Sequence, residues 1–492
     1  MPSLAAHLPA PGTARAATSP LFLFAGAAIL LLHTVAPAAL PVHLRMLGAA
    51  PGVAACLLWW RYFASRDFER LPFLEYAVTQ AYLYWGLGTV TVGEEQLAAA
   101  GPRGWTGAAA AACIVTAGFL LAHPIGRRLG AFAAIPLERC LPRSAPRLSA
   151  VMILPWLALT AAVQADVFAG KVPGSLYFVV QTIGGYSPLL AALAWRDLRA
   201  GRRSPWLVVC TVVLSMAGLL TGMLEAAVQP VLMAITLQVV LRRKVPWRLL
   251  AVGALVILVV NPAKHHYREA AWEDAVTREE RAARDPRVAA ERWWKALKAA
   301  WTPGQAPTSQ HTSGLASRLN ELAINAEVID RVPAAIPYDR GWAWQFIPVS
   351  VIPRFLYPGK PDFTDVFNDR FAITFAIQTR LETETSTTAF PLVADGYWNL
   401  GWPGVVLVGL LAGVVIGVFA GLFRARTWAT TAVATSTFAA LHANNAVGVQ
   451  VIGVLQHVLG LAFVLWVTWA IATVVAAARP GARLPESPGS RA

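Results

Sequence analysis

The sequence predicts an all-α polytopic membrane protein with about 12 transmembrane helices and one large extracytoplasmic loop between the ninth and tenth. Three observations carry this. Of 492 residues, 56% are hydrophobic and 14% charged, too apolar a balance for a soluble chain of this length. Apolar runs long enough to cross a hydrocarbon core recur over residues 20–261 and again over 403–477. The connections between them alternate between crowded and nearly empty in Arg and Lys, as cytoplasmic and external loops do.

In chain order, residues 1–19 read as a disordered cytoplasmic start, with no cleavable leader. Spans are predicted at 20–42, 47–65, 72–92, 104–123, 148–168, 174–195, 204–223, 225–241 and 245–261. The loop occupies 262–402, further spans 403–423, 427–443 and 446–477, and a cytoplasmic tail 478–492. With the N-terminus inside, the short inner connections hold 18 basic residues, among them Arg61, Arg127, Arg128, Arg196, Arg242 and Arg424. The short outer ones hold 3: Arg45, Arg103 and Lys171. This bias places the loop outside the cytoplasm and both termini inside.

The net charge of +14 does not mark a nucleic-acid partner. The loop region is close to neutral, with 16 basic and 17 acidic residues, so the surplus sits in the connections and tails. Cys56, Cys113, Cys140 and Cys210 all lie outside the loop and show no CxxC spacing, which supports neither a disulfide framework nor a zinc site. Gly409, Gly413, Gly417 and Gly421 recur every fourth residue, a strip on which a neighbouring helix can approach closely. Glu225, between two spans, is either an acid at membrane depth with a function or an interfacial turn residue.

The loop carries the chemistry-bearing residues. Its first part, Tyr267 to Trp301, is charged and helix-prone, broken near Pro286, and its tryptophans suit an interfacial position. A Pro/Ser/Thr linker follows, then an amphipathic helix over 317–332 opened by Arg318 and Asn320. Pro348, Pro353, Pro358 and Pro361 forbid a regular helix in the next stretch, which carries Arg354 and Lys360 downstream of Arg340. Guanidinium forks and an ammonium suit a pyrophosphate; the same cations could instead meet lipid headgroups or pair with Asp339 and Asp362. Asp362, Asp365 and Asp369 read either as cation ligands or as a solvated first helical turn. His442, beside Asn444 and Asn445, either faces the site or is structural. Phosphate-loop, Ser/His/Asp and HExxH patterns are absent, which leaves nucleotide hydrolysis and metalloprotease chemistry unsupported.

The run Pro353-Arg354, then Tyr357-Pro358, then Lys360-Pro361 resembles the outer-loop signature of bacterial O-antigen and exopolysaccharide repeat-unit polymerases of the Wzy type. The Thr/Ser-rich stretch 383–388 and Asp395-Gly396-Tyr397, Asn399, Gly401 and Gly404 are also similar to that family, as is the single dominant late loop. Tyr357 stands where the family often has Trp, and Asp395 where it often has Glu. The resemblance implies a glycosyltransferase of the bacterial inner membrane that polymerises undecaprenyl-pyrophosphate-linked oligosaccharide repeat units at the outer face. It implies pyrophosphate binding by Arg354, Lys360, Arg340 and Arg318, and a base among Asp395, Asp339 and His442. Tyr397, Asn399 and Tyr357 are the glycan-binding candidates. No metal or other cofactor is expected. The expected partners are the lipid-linked oligosaccharide, membrane lipids, a chain-length regulator and a flippase. An O-antigen ligase, a lipid-linked glycan transporter and an assembly partner remain as alternatives.

Overall fold

The computed structural model describes residues 15–65, 70–140, 150–165, 186–220, 224–242, 246–272, 286–302, 321–350, 352, 357, 359–361, 364–380, 383, 390–423, 428 and 430–431. Secondary structure among these residues is helical, without a strand. The eleventh and twelfth expected spans lie outside them apart from residues 428 and 430–431.

The first helices are α1 (Arg15–Val35), α2 (Val42–Ala64) and α3 (Phe73–Ala81). The expected third span is not one regular helix. A π-helical turn, Tyr82–Gly86, interrupts it before α4 (Gly88–Thr91). The wider turn accompanies a close approach to α2. A Cβ on Gly52 would meet the Tyr82 ring at 2.7 Å, and one on Gly48 would strike Thr89. A buried polar knot sits there: His33 Nδ1 lies 2.7 Å from the Arg45 carbonyl, and Nε2 lies 3.3 Å from the Tyr82 hydroxyl. Local departures of this kind satisfy polar groups that hydrocarbon cannot.

Next come α5 (Glu94–Leu97), α6 (Pro102–Cys140), α7 (Ala150–Gln164), α8 (Tyr186–Asp197), α9 (Pro205–Leu220), α10 (Leu224–Arg242) and α11 (Trp247–Trp272). The late segments are α12 (Pro286–Trp301), α13 (Glu321–Arg331), α14 (Ile347–Ser350), a π-helical turn Thr364–Asp369, α15 (Arg370–Thr374), α16 (Leu392–Leu400) and α17 (Trp402–Leu422). Among the described residues three helices are long and apolar enough to cross a membrane, Val42–Ala64, Pro102–Phe132 and Trp402–Leu422, and five shorter apolar helices accompany them. Large apolar side chains point outward, with Phe132 86% and Phe24 72% exposed, as suits a lipid-facing surface.

The centre of the fold is α6 against α17. The glycine strip of α17 meets α6 residue by residue. A Cβ on Gly409 would sit 2.9 Å from Val115 Cα, and one on Gly413 2.6 Å from the Gly118 carbonyl. Gly417 and Gly421 lie against the His123 and Arg127 carbonyls in the same way. The order of these contacts makes the two helices parallel. Glycines on α6 reciprocate, with Gly126 on Val414 and Gly130 on Val418. This partnership runs past residue 123, which explains why α6 outlasts the expected fourth span.

The expected ninth span likewise continues past Asn261, because α12 folds back on it. Tyr267 stacks on Trp293 with ring centroids 4.4 Å apart, and their polar tips donate to the Leu220 and Leu219 carbonyls at 2.9 and 2.6 Å. Ala289, Trp293, Ala296 and Ala300 are the buried face of α12, at helical spacing. Trp294 and Trp301 stay 60% exposed.

The connection after α8 is braced by Asp197. Its carboxylate accepts from Arg196 Nε at 2.7 Å and Ser204 Oγ at 2.6 Å. The Arg196 hydrogen bond, and then that of Ser204, hold the Asp197 carboxyl below its usual pKa. A lowered folded-state value means stability that is present at neutral pH and lost with acid. Asp197→Asn is therefore expected to cost about 1–2 kcal/mol at pH 7. The gap should begin to close near about pH 4 and vanish below the depressed value. Melting curves of both proteins across pH check this.

Candidate functional site

Residues 337–346 and α16 meet at the end of α6 that begins with Pro102, opposite the end carrying Arg127 and Arg128. The last carbonyls of a helix have no partner within it. In α16 two of these are met from outside: the Asp339 N–H donates to the Trp398 carbonyl at 2.9 Å and the Arg340 N–H to the Asn399 carbonyl at 3.1 Å. The Gly341 N–H donates to Asn399 Oδ1 at 2.8 Å. To bring three successive amides onto one helix end, Arg340 and Gly341 both turn left-handed, at φ 54° and 78°. That conformation is routine for Gly341 and unusual for an arginine.

Asn399 is the hinge of this junction. Its amide donates back to the Asp395 carbonyl and carboxylate, each at 2.8 Å, one helical turn earlier. Trp344 Nε1 donates to the same carboxylate at 3.0 Å. Asp395 and Asn399 are 0% and 1% exposed. Their side chains fix where the 338–346 segment sits and are not presented at the surface.

Asp339 is also withdrawn. Its carboxylate, 2% exposed, is paired with Arg370. The Arg370 guanidinium lies over two indoles, 4.1 Å from the Trp342 ring and 4.9 Å from that of Trp398. Trp398 in turn joins a buried aromatic group with Phe371, Phe375 and Phe390, in which Phe371 and Phe390 stack at 4.2 Å. Arg331 ties this group to α13 by donating to Glu327 at 2.7 Å and to the Phe375 carbonyl at 2.9 Å.

Arg340 stands apart from these pairs. It is exposed, and among the described residues no carboxylate pairs with it. The Asp339 partner that the sequence allowed for it has gone to Arg370. The junction thus offers a cation on a backbone fixed by Asn399, above a buried Asp–Arg pair. That arrangement can hold an anion.

The candidate residues therefore divide. Asp339, Arg340, Asp395, Tyr397 and Asn399 come together. Tyr397 is buried, 2% exposed, against Trp402 at 5.5 Å between centroids. Lys360 and Tyr357 belong to a separate turn, where the Lys360 N–H donates to the Tyr357 carbonyl at 3.1 Å and the Lys360 ammonium to the Ile352 carbonyl at 2.9 Å. Tyr357 is 43% exposed. Arg318, Arg354 and His442 lie outside the described residues, as do Asp362 and the side chains of Asp365 and Glu225. Asp369 closes a π-helical turn rather than a regular first helical turn. Sequence reasoning missed Arg370 and Trp344. The signal available was weak: a lone arginine and an indole in a segment already rich in both.

No curated protein and no solved structure matches the chain. A family model described as a domain of unknown function, DUF8712, matches residues 147–446. That match takes in α7 to α17, including both halves of the junction, and covers more than half of the sequence. The chain belongs to the DUF8712 family.

Proposed function

We propose that this protein is a bacterial inner-membrane glycosyltransferase that polymerises undecaprenyl-pyrophosphate-linked repeat units into O-antigen or exopolysaccharide. The observation that carries the reading is the fixed Arg340, which no carboxylate pairs among the described residues, at the meeting of 337–346 and α16, in the loop that also holds Arg354 and Lys360. The resemblance of that loop to repeat-unit polymerases supplies the reaction class.

In this reading about twelve spans carry the chain, and the late loop faces the periplasm. The parallel contact of α6 and α17 supports it, because parallel spans have an odd number of crossings between them, and five are expected here. The ends agree: Gly421, near the close of α17, lies against Arg127 of α6, while the junction takes the other end.

A sugar hydroxyl of one lipid-linked unit attacks the anomeric carbon of the growing chain. The new C–O bond forms as the bond to the diphosphate oxygen breaks, and undecaprenyl pyrophosphate leaves with the electron pair. Its growing negative charge falls to Arg340, Arg354, Lys360 and Arg318. The hydroxyl proton passes to a base. Asp339 and Asp395 are hydrogen-bonded and buried, so in this reading they hold the site in shape, and His442 takes the proton.

The test is deletion in the native host followed by sizing of the surface glycan. Loss of long chains with a single repeat unit retained is the expected result. Loss of every capped form would point to a ligase. An unchanged glycan in an Arg354→Ala strain would point to an assembly partner.

A further inference from the structure

We infer that the groove between α6 and α16–α17 is a binding site for one anionic, phosphate-headed membrane lipid, with Arg103 as its headgroup contact. The inference does not rest on the polymerase reading, since any activity of this fold could use such a site.

The groove is an open cavity of about 460 Å³ whose lining changes character along its length. On α6 the lining opens with Pro102 and Arg103, and Tyr397 and Trp402 line it from α16 and α17. Beyond them Thr106, Gly107 and Ala110 form the wall. These α6 positions fall at i, i+3, i+4 and i+7, one face of the helix, and span about 10 Å along its axis. Gly107 is small because Ile329 of α13 packs there; a Cβ would sit 2.6 Å from Ile329 Cγ2. The wall is therefore smooth and apolar, and it runs down a helix long enough to cross a membrane.

The polar end matches a phosphate in charge. Arg103 is exposed and makes no ion pair among the described residues. The neighbouring carboxylate, Asp330, accepts the Gly101 N–H at 3.1 Å and is not part of the lining. Tyr338 reaches the same end. Partial burial and its hydrogen bond with Tyr397 raise the Tyr338 pKa, and the charge of Arg103 opposes that rise. The phenol stays protonated at neutral pH and can donate to a phosphate oxygen. A cation and a phenol at the start of α6, with Gly107, Ala110 and Ile329 farther along, follow the order of a lipid from head to chain. A lipid with a quaternary ammonium headgroup also offers a phosphate, but it would bring a second positive charge beside Arg103, so an anionic lipid is favoured.

The experiment is native mass spectrometry of the purified full-length protein, reconstituted with either dioleoyl-phosphatidylglycerol or dioleoyl-phosphatidylcholine and then delipidated. The wild type should keep one phosphatidylglycerol per chain in preference to phosphatidylcholine. Arg103→Gln should weaken that retention by about five- to tenfold. Thr106→Trp, at an exposed position, should block the chain-binding wall and give a similar loss with Arg103 intact. Equal retention of the two lipids by the wild type, or unchanged phosphatidylglycerol retention in Arg103→Gln, would overturn the assignment. If polymerisation fails in the host while this selectivity holds, the lipid site stands and the enzymatic reading falls.

Discussion

Replacing Gly417 with leucine is expected to abolish the folded protein. Gly417 lies against the His123 carbonyl and 2.8 Å, by its missing Cβ, from the Arg127 amide. Those neighbours are backbone, which cannot move aside as a flexible side chain would. In a bilayer there is no hydrophobic drive to hold helices together, so close backbone approach supplies the attraction between α6 and α17. A leucine would push the helices apart along their length, at a cost of at least about 3 kcal/mol. The check is the yield of monodisperse protein by fluorescence-detected gel filtration. Leu411, 44% exposed on the same helix, is the control: Leu411→Phe should leave the yield unchanged.

Arg370→Ala is the second large effect. It would strip the partner from Asp339, whose side chain is 2% exposed, and remove a cation from the faces of Trp342 and Trp398. A buried carboxylate left unpaired is costly, typically about 3–5 kcal/mol. Arg370 is a third exposed, so water can enter and the lower end, about 3 kcal/mol, is expected. Asp339→Asn in the same background should restore much of the melting temperature, because the orphaned charge is gone. If the double variant melts no higher than Arg370→Ala alone, charge pairing is not what holds the 337–346 segment.

The difference between these two sites shows how far the sequence can be read. The strip from Gly409 to Gly421 was visible because glycine at every fourth position has one geometric meaning on a helix. Its partner, α6, was not, since Gly118, Gly126 and Gly130 are scattered among alanines that serve equally well. The helix of α12 and its start near Pro286 were legible, but its buried face was not: Trp293, read with the other tryptophans as interfacial, stacks on Tyr267. Nor was the continuation of α11 beyond Asn261, because it depends on Tyr267 finding Trp293 across a connection. At the junction, Asp395 and Asn399 stood out as polar residues one turn apart. Whether they faced a substrate or the interior depended on Trp344 and Gly341, some 50 residues earlier in the chain. The Asp339–Arg370 pair is harder still. Two arginines, Arg340 and Arg370, compete for one carboxylate, and only the fold decides between the adjacent one and the distant one.

The π-helical turn at Tyr82–Gly86 belongs to the same class. Hydropathy marks 72–92 as a span, but it cannot register that Gly48 and Gly52 bring α2 close enough to demand a wider turn. Composition reports what a segment is made of, and local geometry follows from its neighbours.

The most direct measurement is reconstitution of the purified chain in liposomes with an undecaprenyl-pyrophosphate-linked repeat unit, followed by sizing of the products on a gel. The wild type should give a ladder of lengths, sharply shortened by Arg340→Ala in protein that melts normally. A single unextended band from well-folded wild type, or a full ladder from the Arg340 variant, would contradict the polymerase reading.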